Sequence, residues 1–259
     1  MKLVLVGNGK WGKNYVNTLT SFPNITLQIA NRDNWKSLIN DLPDGVIICT
    51  PPSSHVEIAS HSLSKNIPTM IEKPLSLSLL EAQQLQTFKS PILVNHIHLF
   101  AEAYQQLKNI VNNRRIESIT SLGFNNGPIR EYSSLWDYGC HDLSMILDLV
   151  NDFPEKIEAQ EIKTETGSLF NIKLQFDTLT TESLVGNGGQ KPIRKLKIDC
   201  DGLKIVYDNA HRPAHHNLPL TNALNVFINA IKGIPDSRLG LDLSFKIIKI
   251  LEICQNSTI

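Results

Sequence analysis

A glycine-rich turn that directly follows an apolar segment is the feature that most constrains the fold of this sequence. Residues 3–6 read Leu-Val-Leu-Val and run into Gly7, Gly9 and Gly12, which have the spacing G-x-G-x-x-G. In a strand-turn-helix unit, the first glycine allows a tight turn, the second lets the backbone approach a pyrophosphate, and the third lets the helix pack on the strand. The helix N-terminus adds free N–H groups and a partial positive charge. The sequence therefore predicts a dinucleotide site, with a purely structural turn as the alternative.

Short apolar segments alternate with helical segments in the first part of the chain. The predicted strands are 2–6, 27–30, 46–49, 69–71 and 92–95, and the predicted helices are 12–19, 54–63 and 79–88. Apolar strands separated by helices are typical of a parallel sheet that is covered on both faces. We therefore predict an α/β fold in which residues 1–95 form a Rossmann dinucleotide-binding domain.

Beyond residue 95 the pattern changes to consecutive strands. The predicted strands are 118–124, 157–162, 168–176, 181–185, 195–200 and 204–207, and the predicted helices are 103–112, 140–150, 220–231 and 241–253. Turn residues separate the strands, namely Gly186-Asn187-Gly188-Gly189 and the hairpin dipeptide Asp201-Gly202. Strands in succession predict a separate α+β domain, 96–259, with a mainly antiparallel sheet.

Composition argues against nucleic-acid and membrane partners. Lys plus Arg and Asp plus Glu both number 25, so the chain has no broad basic field. No segment approaches the roughly 18 uninterrupted apolar residues of a membrane span, and the first apolar run is too short for a signal peptide. The 4 cysteines are far apart, without a C-x-x-C pair, which favours reduced thiols. We expect a cytoplasmic metabolic protein.

Three histidines close in sequence raise the question of a metal site. His211, His215 and His216 could in principle hold zinc, but no carboxylate or thiolate accompanies them at ligand spacing. Pro213 would break a helix that aligned them. A solvated loop or a rim facing the substrate explains them better, and we predict no metal site.

Three further motifs contain polar residues that follow a predicted strand or lie at the start of a predicted helix, where ligands often bind. They are Cys49-Thr50-Pro51-Pro52 with His55, then Glu72-Lys73-Pro74, then the segment from Trp136 to Asp142. The first two follow predicted parallel strands, and open α/β sheets bind ligands at the carboxyl ends of their strands. Lys73 is therefore a candidate to meet a nicotinamide ring and a substrate, with an ordinary surface lysine as the alternative.

Asp137 and His141 are four residues apart, so they share one face if the helix begins early enough. A carboxylate beside an imidazole can orient it and raise its basicity, which suits general acid-base chemistry near neutral pH. In the alternative, Asp137 caps the helix and His141 packs beneath it. Arg130, Tyr132 and Trp136 precede this pair and could equally line a pocket or pack.

Taken together, these motifs resemble the glucose-fructose oxidoreductase, inositol dehydrogenase and MocA family of nicotinamide-dependent oxidoreductases, over nearly the whole chain. The segment Gly7 to Asn14 is similar to the family's phosphate turn, and Thr50-Pro51-Pro52 with His55 to its cofactor-edge loop. Glu72-Lys73-Pro74 is similar to the E-K-P signature, the most specific of the set. Asp137-x-Gly139-x-His141 is similar to the D-x-G-x-H element.

The resemblance implies a role for each matched residue. Lys73 would polarise the reacting oxygen and His141 would act as acid and base, while Asp137 would orient the histidine or grip a substrate hydroxyl. Asn95 occupies a position that faces the cleft in family members, with its role here open. The cofactor contacts would come from Gly7, Asn8, Gly9, Lys10, Trp11, Gly12, Asn31, Arg32, Cys49, Thr50, Pro51, His55, Glu72 and Lys73.

The end of the second strand indicates which cofactor is preferred. Rossmann sites for NAD normally have Asp or Glu there, to bind the ribose hydroxyls. This chain has Asn31 followed by Arg32, whose planar guanidinium suits a 2′-phosphate. We therefore predict NADP in preference to NAD, although Asp33 could serve as the ribose partner.

The resemblance also implies a sugar-like substrate and an oligomer. The Trp11-Gly12-x-Asn14 form of the turn is similar to members that act on nucleotide-linked sugars, so such a sugar is one candidate. A free polyol or inositol dehydrogenase is the alternative enzyme, and a non-catalytic dinucleotide-binding regulator is the alternative of another class. The second domain, 96–259, is expected to bind the substrate and to mediate oligomerisation, its sheet joining a homodimer or homotetramer.

Overall fold

The computed structural model describes residues 1–127, 130–189, 191–208 and 218–257 of the 259-residue chain. The described residues form two compact units. The first unit contains Met1–Ile97 together with 218–245, and the second contains 98–208 together with 246–257.

The first unit is built on a parallel five-stranded sheet with the order β2-β1-β3-β4-β5. Its elements are β1 (Lys2–Val6), α1 (Gly12–Leu19), β2 (Thr26–Ala30), α2 (Trp35–Asn40), β3 (Gly45–Ile48), α3 (His55–Leu63), β4 (Thr69–Glu72), α4 (Leu79–Gln83) and β5 (Ile92–Asn95). Strand β1 pairs on both sides, and the side chains in its middle are fully buried. The chain order reverses between β1 and β3, and such switch points are where open α/β sheets bind ligands. The predicted Rossmann fold is confirmed.

The second unit is built on a six-stranded sheet with the order β11-β10-β6-β9-β8-β7. Its elements are α5 (Glu102–Val111), β6 (Ile116–Asn125), α6 (Ser134–Val150), β7 (Lys156–Thr164), β8 (Gly167–Gln175), β9 (Thr180–Asn187), β10 (Ile193–Cys200) and β11 (Leu203–Asp208). The β6–β9 pair is parallel and the other pairs are antiparallel, so the predicted mainly antiparallel sheet is confirmed.

Two helices follow, α7 (Leu218–Ile231) and α8 (Asp242–Ser257). Helix α7 packs with the first unit because Gly45 leaves room for it: a Cβ at Gly45 would lie 2.7 Å from Ile231 Cδ1 and 3.1 Å from Phe227 Cζ. The first compact unit therefore takes in a later segment besides residues 1–95. The assignment of cofactor binding to 1–95 and of substrate binding and oligomerisation to 96–259 stays a prediction.

The turn predictions met with different outcomes. Asp201 and Gly202 form a two-residue turn with φ of 45° and 76°, between the paired residues Cys200 and Leu203. Both residues are left-handed, as a type I′ hairpin requires, and this prediction is confirmed. By contrast, β9 continues through Gly186 and Asn187, which pair with β6, so the turn predicted to begin at Gly186 is wrong there.

Helix α6 begins at Ser134, and the predicted start at Cys140 is wrong. Ser133 is its N-cap, and the Ser133 hydroxyl accepts a hydrogen bond from the backbone N–H of Leu135 at 3.3 Å. The early start places Leu135 and Trp136 in the core as part of the helix. Within the described ranges, no helix is long and apolar enough to cross a bilayer.

The two faces of the second sheet differ. One face packs on α6, with Val185 close to Gly139. The other face has half-buried or exposed apolar residues in neighbouring registers, namely Leu122, Phe124, Ile162, Leu169 and Leu184. An apolar sheet face of this kind is suited to subunit contact.

The sheet face therefore supports a prediction about assembly. We expect the wild-type chain to be a homodimer or homotetramer at micromolar concentration by light scattering. Leu184→Lys should shift the mass toward the monomer, because it puts a charge among apolar residues. Lys197→Gln, at an exposed position of the same face, is the matched control and should keep the oligomer. A monomeric wild-type chain would contradict the prediction.

Candidate functional site

The turn between β1 and α1 has the shape of a phosphate-binding turn. Gly7 has φ +99°, and a Cβ there would lie 2.6 Å from the carbonyl oxygen of Cys49. A Cβ at Gly12 would collide with the carbonyl oxygen of Gly7. In contrast, a Cβ at Gly9 would meet no atom within 4 Å. The two outer glycines therefore allow close packing, and Gly9 faces open space where a ligand can approach the backbone.

The N-terminus of α1 adds hydrogen-bond donors at the same turn. Trp11 is the N-cap residue and makes no side-chain cap, while the N–H of Lys13 donates to the carbonyl oxygen of Gly9 at 3.1 Å. Asn8 and Lys10 are exposed on the turn. Uncapped N–H groups at a helix N-terminus favour anions, so the turn fits a pyrophosphate.

The loop after β2 is shaped by two asparagines. The Asn31 side-chain oxygen accepts from the backbone N–H groups of Asp33 at 2.9 Å and Asn34 at 3.1 Å. The side-chain oxygen of Asn34 accepts in return from the backbone N–H of Asn31 at 2.8 Å. Because the Asn31 oxygen is used within the loop, Asn31 serves to hold the loop in shape.

Arg32 projects from this loop and is exposed. It makes no ion pair with any residue that the structure describes. A guanidinium in this setting is available to an anionic ligand, and its planar fork suits a phosphate.

The loop after β3 is tied to the Lys73 segment through His55. This side chain is completely buried, with its Nε2 2.8 Å from the carbonyl oxygen of Thr50 and its Nδ1 2.9 Å from that of Pro74. Burial lowers the pKa of His55, although the carbonyl groups oppose that shift. Both ring nitrogens already have partners, so His55 acts as a brace between the Thr50-Pro51 loop and the segment after β4.

Cys49 lies at the start of the same loop and is partly exposed. Burial of the sulfur, and then the nearby carboxylate of Glu72, raise the pKa of the Cys49 thiol well above its usual value. The thiol is thus protonated at neutral pH. It can contact a cofactor but is poorly suited to act as a nucleophile.

The carboxylate of Glu72 joins four parts of the first unit. One oxygen, Oε1, accepts from Trp11 Nε1 at 2.7 Å, from the Tyr15 hydroxyl at 2.5 Å and from Asn95 Nδ2 at 2.7 Å. The other oxygen, Oε2, accepts from the backbone N–H of Lys73 at 3.2 Å. Glu72 therefore connects the phosphate turn, helix α1 and the end of β5 to the backbone of the candidate catalytic lysine.

Two buried polar residues end β5 beside this network. Asn95 also donates to the Tyr15 hydroxyl at 2.8 Å, and His96 Nε2 lies 2.9 Å from the Ser244 hydroxyl. Among the described residues, Asn95 Oδ1 and His96 Nδ1 are buried without a hydrogen-bond partner. Burial, and then the charge of Lys73, lower the pKa of His96 to about 3. This edge thus has unmet hydrogen-bonding capacity and a neutral imidazole near Lys73.

In the second unit, Asp137 and His141 lie on helix α6, four residues apart. Asp137 is in the first turn, where its Oδ2 is 3.1 Å from Arg130 Nε. The His141 ring lies 4.9 Å from the ring of His98, at an angle of 87°. The sequence left open whether Arg130 lines a pocket or packs, and it did not predict a role for His98. The contacts of both depend on how the chain folds back on α6.

A cavity of about 380 Å³ lies at the N-terminus of α6. Its lining is rich in hydroxyl and charged groups and includes Arg130, Tyr132, Ser133, Ser134, Asp137 and Glu161. Such a lining can hydrogen-bond a ligand that carries many hydroxyl groups.

A comparison with protein families finds a match within the first unit. Residues 22–90 match a family described as an oxidoreductase family with an NAD-binding Rossmann fold. The match covers less than half of the chain, and it shows that this segment is similar to the glucose-fructose oxidoreductase, inositol dehydrogenase and MocA family. The match supports an NAD-binding oxidoreductase fold for the first unit, and the glycine turn lies outside the matched range. Among curated protein sequences, none matches this chain.

Solved structures of similar fold match nearly the whole chain. A protein of Magnetospirillum magnetotacticum MS-1, described as a possible oxidoreductase, is 26% identical, with a TM-score of 0.86 and coverage of 98% of this chain and 99% of that one. UDP-N-acetylglucosamine 3-dehydrogenase of Acidithiobacillus ferrooxidans is 16% identical, with a TM-score of 0.84 and coverage of 100% and 97%. Scyllo-inositol dehydrogenase of Lactobacillus casei, with NAD(H) and scyllo-inositol bound, is 15% identical, with a TM-score of 0.83 and coverage of 100% and 96%. At the identities of the last two proteins, the similarity shows a shared fold alone.

The described residues hold no group of three or more histidine, cysteine, aspartate or glutamate side chains arranged for a metal. The three histidines considered for zinc, His211, His215 and His216, lie outside the described residues. The absence of a metal site therefore stays a prediction for that part of the chain.

The space in front of Gly9 gives a test of the cofactor site. We expect Gly9→Val to fold normally, since its side chain would meet no protein atom nearby. The branched side chain would occupy the space where a pyrophosphate meets the backbone, so dinucleotide binding should be abolished. Calorimetric titration with NAD and NADP, beside a thermal melt, measures both. Unchanged affinity in the folded variant would refute the site.

Proposed function

We propose that this chain is an NAD(P)-dependent oxidoreductase that moves hydride between nicotinamide and a hydroxyl or keto carbon of a sugar-like substrate. The observation that carries the proposal is the Glu72 network, which ties Trp11 of the phosphate turn to the backbone of Lys73. A dinucleotide held by the turn and a charged group for the substrate thus share one support. The dehydrogenases of similar fold are consistent with this activity.

The residues of the first unit fit a dinucleotide. The backbone at Gly7 and Gly9 and the N-terminus of α1 would hold the pyrophosphate, and the loop with Arg32 would bind the adenosine ribose or its phosphate. The Thr50-Pro51 loop would contact the nicotinamide half. When bound, the cofactor supplies or accepts the hydride.

Lys73 is proposed to stabilise charge on the reacting oxygen. Its backbone is held from two sides, by Glu72 at its N–H and by His55 at the next carbonyl, that of Pro74. A positioned ammonium stabilises an oxygen most as negative charge develops there, and costs no rearrangement at that moment.

His141 is proposed to carry the proton to or from that oxygen, since an imidazole titrates near neutral pH. Asp137 is proposed to grip a substrate hydroxyl. Arg130 already balances its carboxylate, and both side chains line the α6 cavity, so the pair can offer an acceptor and donors to one ligand.

The polar cavity supports a polyhydroxylated substrate, and a nucleotide-linked sugar is the subclass to examine first. Free polyols and inositols are the alternative within the same chemistry. A panel of nucleotide sugars, free sugars and inositols, assayed with both cofactors in both directions, separates these cases. Tight cofactor binding without turnover on the whole panel would favour a non-catalytic regulator. Cytoplasmic location and homo-oligomer formation stay part of the proposal.

Cofactor choice is tested at the loop after β2. We expect NADP to bind more tightly than NAD, because Arg32 can pair with the 2′-phosphate. Arg32→Ala should weaken NADP binding by about 1–3 kcal/mol, the range for hydrogen bonds to charged groups, and change NAD binding little. Lys36→Ala, which removes an exposed cation of the neighbouring helix, is the control. Equal losses for both cofactors after Arg32→Ala would refute the phosphate contact.

The division of catalytic roles is tested by kinetics. Lys73→Met should leave the cofactor Kd nearly unchanged and lower kcat by several orders of magnitude, because the ammonium acts mainly on the developing charge. His141→Ala should lower kcat by about 10²–10⁴-fold and alter the pH-rate profile, as loss of an acid-base group does. The two losses should be strongly non-additive in the double variant. Full activity of His141→Ala with an unchanged profile would leave Lys73 as the acid-base group and refute this division.

A further inference from the structure

We infer that His98 is a positioning residue for His141, and that it sets the orientation of the His141 imidazole through a ring contact anchored by Tyr207. This inference rests on the proposed acid-base role of His141. It assigns a role in the reaction to a residue outside the motifs that resemble the family's.

The ring contact is direct. His98 lies in the short 3-10 turn Ile97–Phe100 that follows β5, and its side chain is 2% exposed. Its ring centroid is 4.9 Å from that of His141, and the two planes meet at 87°. An edge-to-face contact at this distance is favourable for aromatic rings and disfavours rotation of either ring.

Tyr207 holds His98 in place. The Tyr207 hydroxyl is 3.0 Å from His98 Nδ1, and the Tyr207 side chain is 3% exposed. The two rings are also in edge contact, with centroids 6.1 Å apart and an interplanar angle of 84°. One ring nitrogen of His98 is therefore fixed by a buried partner, which determines which edge of the ring His141 meets.

The support continues behind Tyr207. Its ring lies 6.0 Å from the ring of Tyr104 on α5, and the Tyr104 hydroxyl donates to Asp148 Oδ2 at 2.7 Å. Lys108 Nζ is 2.8 Å from Asp148 Oδ1. Because Asp148 is on α6, the chain of contacts that starts at His141 returns to the helix that carries His141. The arrangement is closed, and it can hold the imidazole in one orientation.

Orientation matters for an acid-base group because proton transfer requires the donor and acceptor atoms to be aligned. An imidazole that is free to turn about its side-chain torsion spends much of its time with the wrong nitrogen toward the substrate. A buried ring in edge contact with the imidazole restricts this rotation.

Kinetics and NMR together test the inference. His98→Leu removes the ring and the hydrogen bond to Tyr207 while keeping apolar volume. We expect kcat to fall by roughly 10–100-fold, a part of what acid-base catalysis contributes, with KM and the cofactor Kd unchanged. His98→Phe restores a ring and should recover part of kcat. Tyr207→Phe should lower kcat in the same direction, and the double variant Tyr207→Phe/His98→Leu should be no worse than His98→Leu alone.

The NMR measurement does not depend on turnover. The His141 ring signals are assigned by their loss in His141→Ala, and they should shift in His98→Leu. His61→Leu is the matched control, since His61 makes a similar edge contact with Trp35, at 5.3 Å and 87°, in the first unit. It should leave kcat and the His141 signals unchanged.

The outcomes separate this inference from the proposed function. If the wild-type chain turns over substrate and His98→Leu keeps full kcat with unchanged His141 signals, the inference is wrong and the function stands. If no substrate is turned over, the function fails and the NMR decides: a shifted His141 ring in His98→Leu supports the positioning role, and unchanged signals overturn it. Should His98→Leu melt well below the wild type, His98→Phe and Tyr207→Phe carry the same comparison.

Discussion

The arrangement of the first unit depends on one buried carboxylate. Glu72 ends β4, is only 7% exposed, and receives three donors on one oxygen and the Lys73 N–H near the other. Burial raises the pKa of Glu72, while the donors and the charge of Lys73 act to lower it. An ionised carboxylate only accepts hydrogen bonds, so it satisfies all of these partners at once. A protonated one would direct its own hydrogen toward a donor.

This carboxylate explains how separate motifs are held together. Trp11 belongs to the phosphate turn, Tyr15 to α1 and Asn95 to the end of β5, and none of them is near Glu72 in sequence. Because they share one acceptor, a displacement of the phosphate turn would also move the segment that carries Lys73. His55 adds a second tie, through Thr50 and Pro74. Breaking any of these hydrogen bonds would leave a buried polar group without its partner, so the network favours a single geometry around Glu72.

The strands and the motifs could be predicted from the sequence, but the long-range contacts that hold the motifs together could not. Buried parallel strands are continuous apolar runs, and the dipeptide Asp201-Gly202 has its own turn chemistry, so both are local signals. The start of α6 is not local, because Trp136, Tyr138 and Gly139 are modest helix formers and their burial in the second unit outweighs propensity. The Glu72 network has no local signal at all, since its partners are 57 and 61 residues away at Tyr15 and Trp11.

Helix α6 packs on the second sheet with one set of residues and contributes to the candidate site with another. Toward the sheet, Gly139 permits close approach to Val185, and the buried Asp142 pairs with Arg194 of β10. Separating the two side chains would leave a buried charge without its partner, so this contact fixes the rotation of the helix about its own axis. With that rotation fixed, Asp137 is brought to Arg130 and His141 to the ring of His98. We therefore propose a division of roles between two side chains near the helix. In this proposal, Asp137 and Arg130 form the polar end of the cavity, and His98, which the D-x-G-x-H motif does not contain, orients the imidazole of His141.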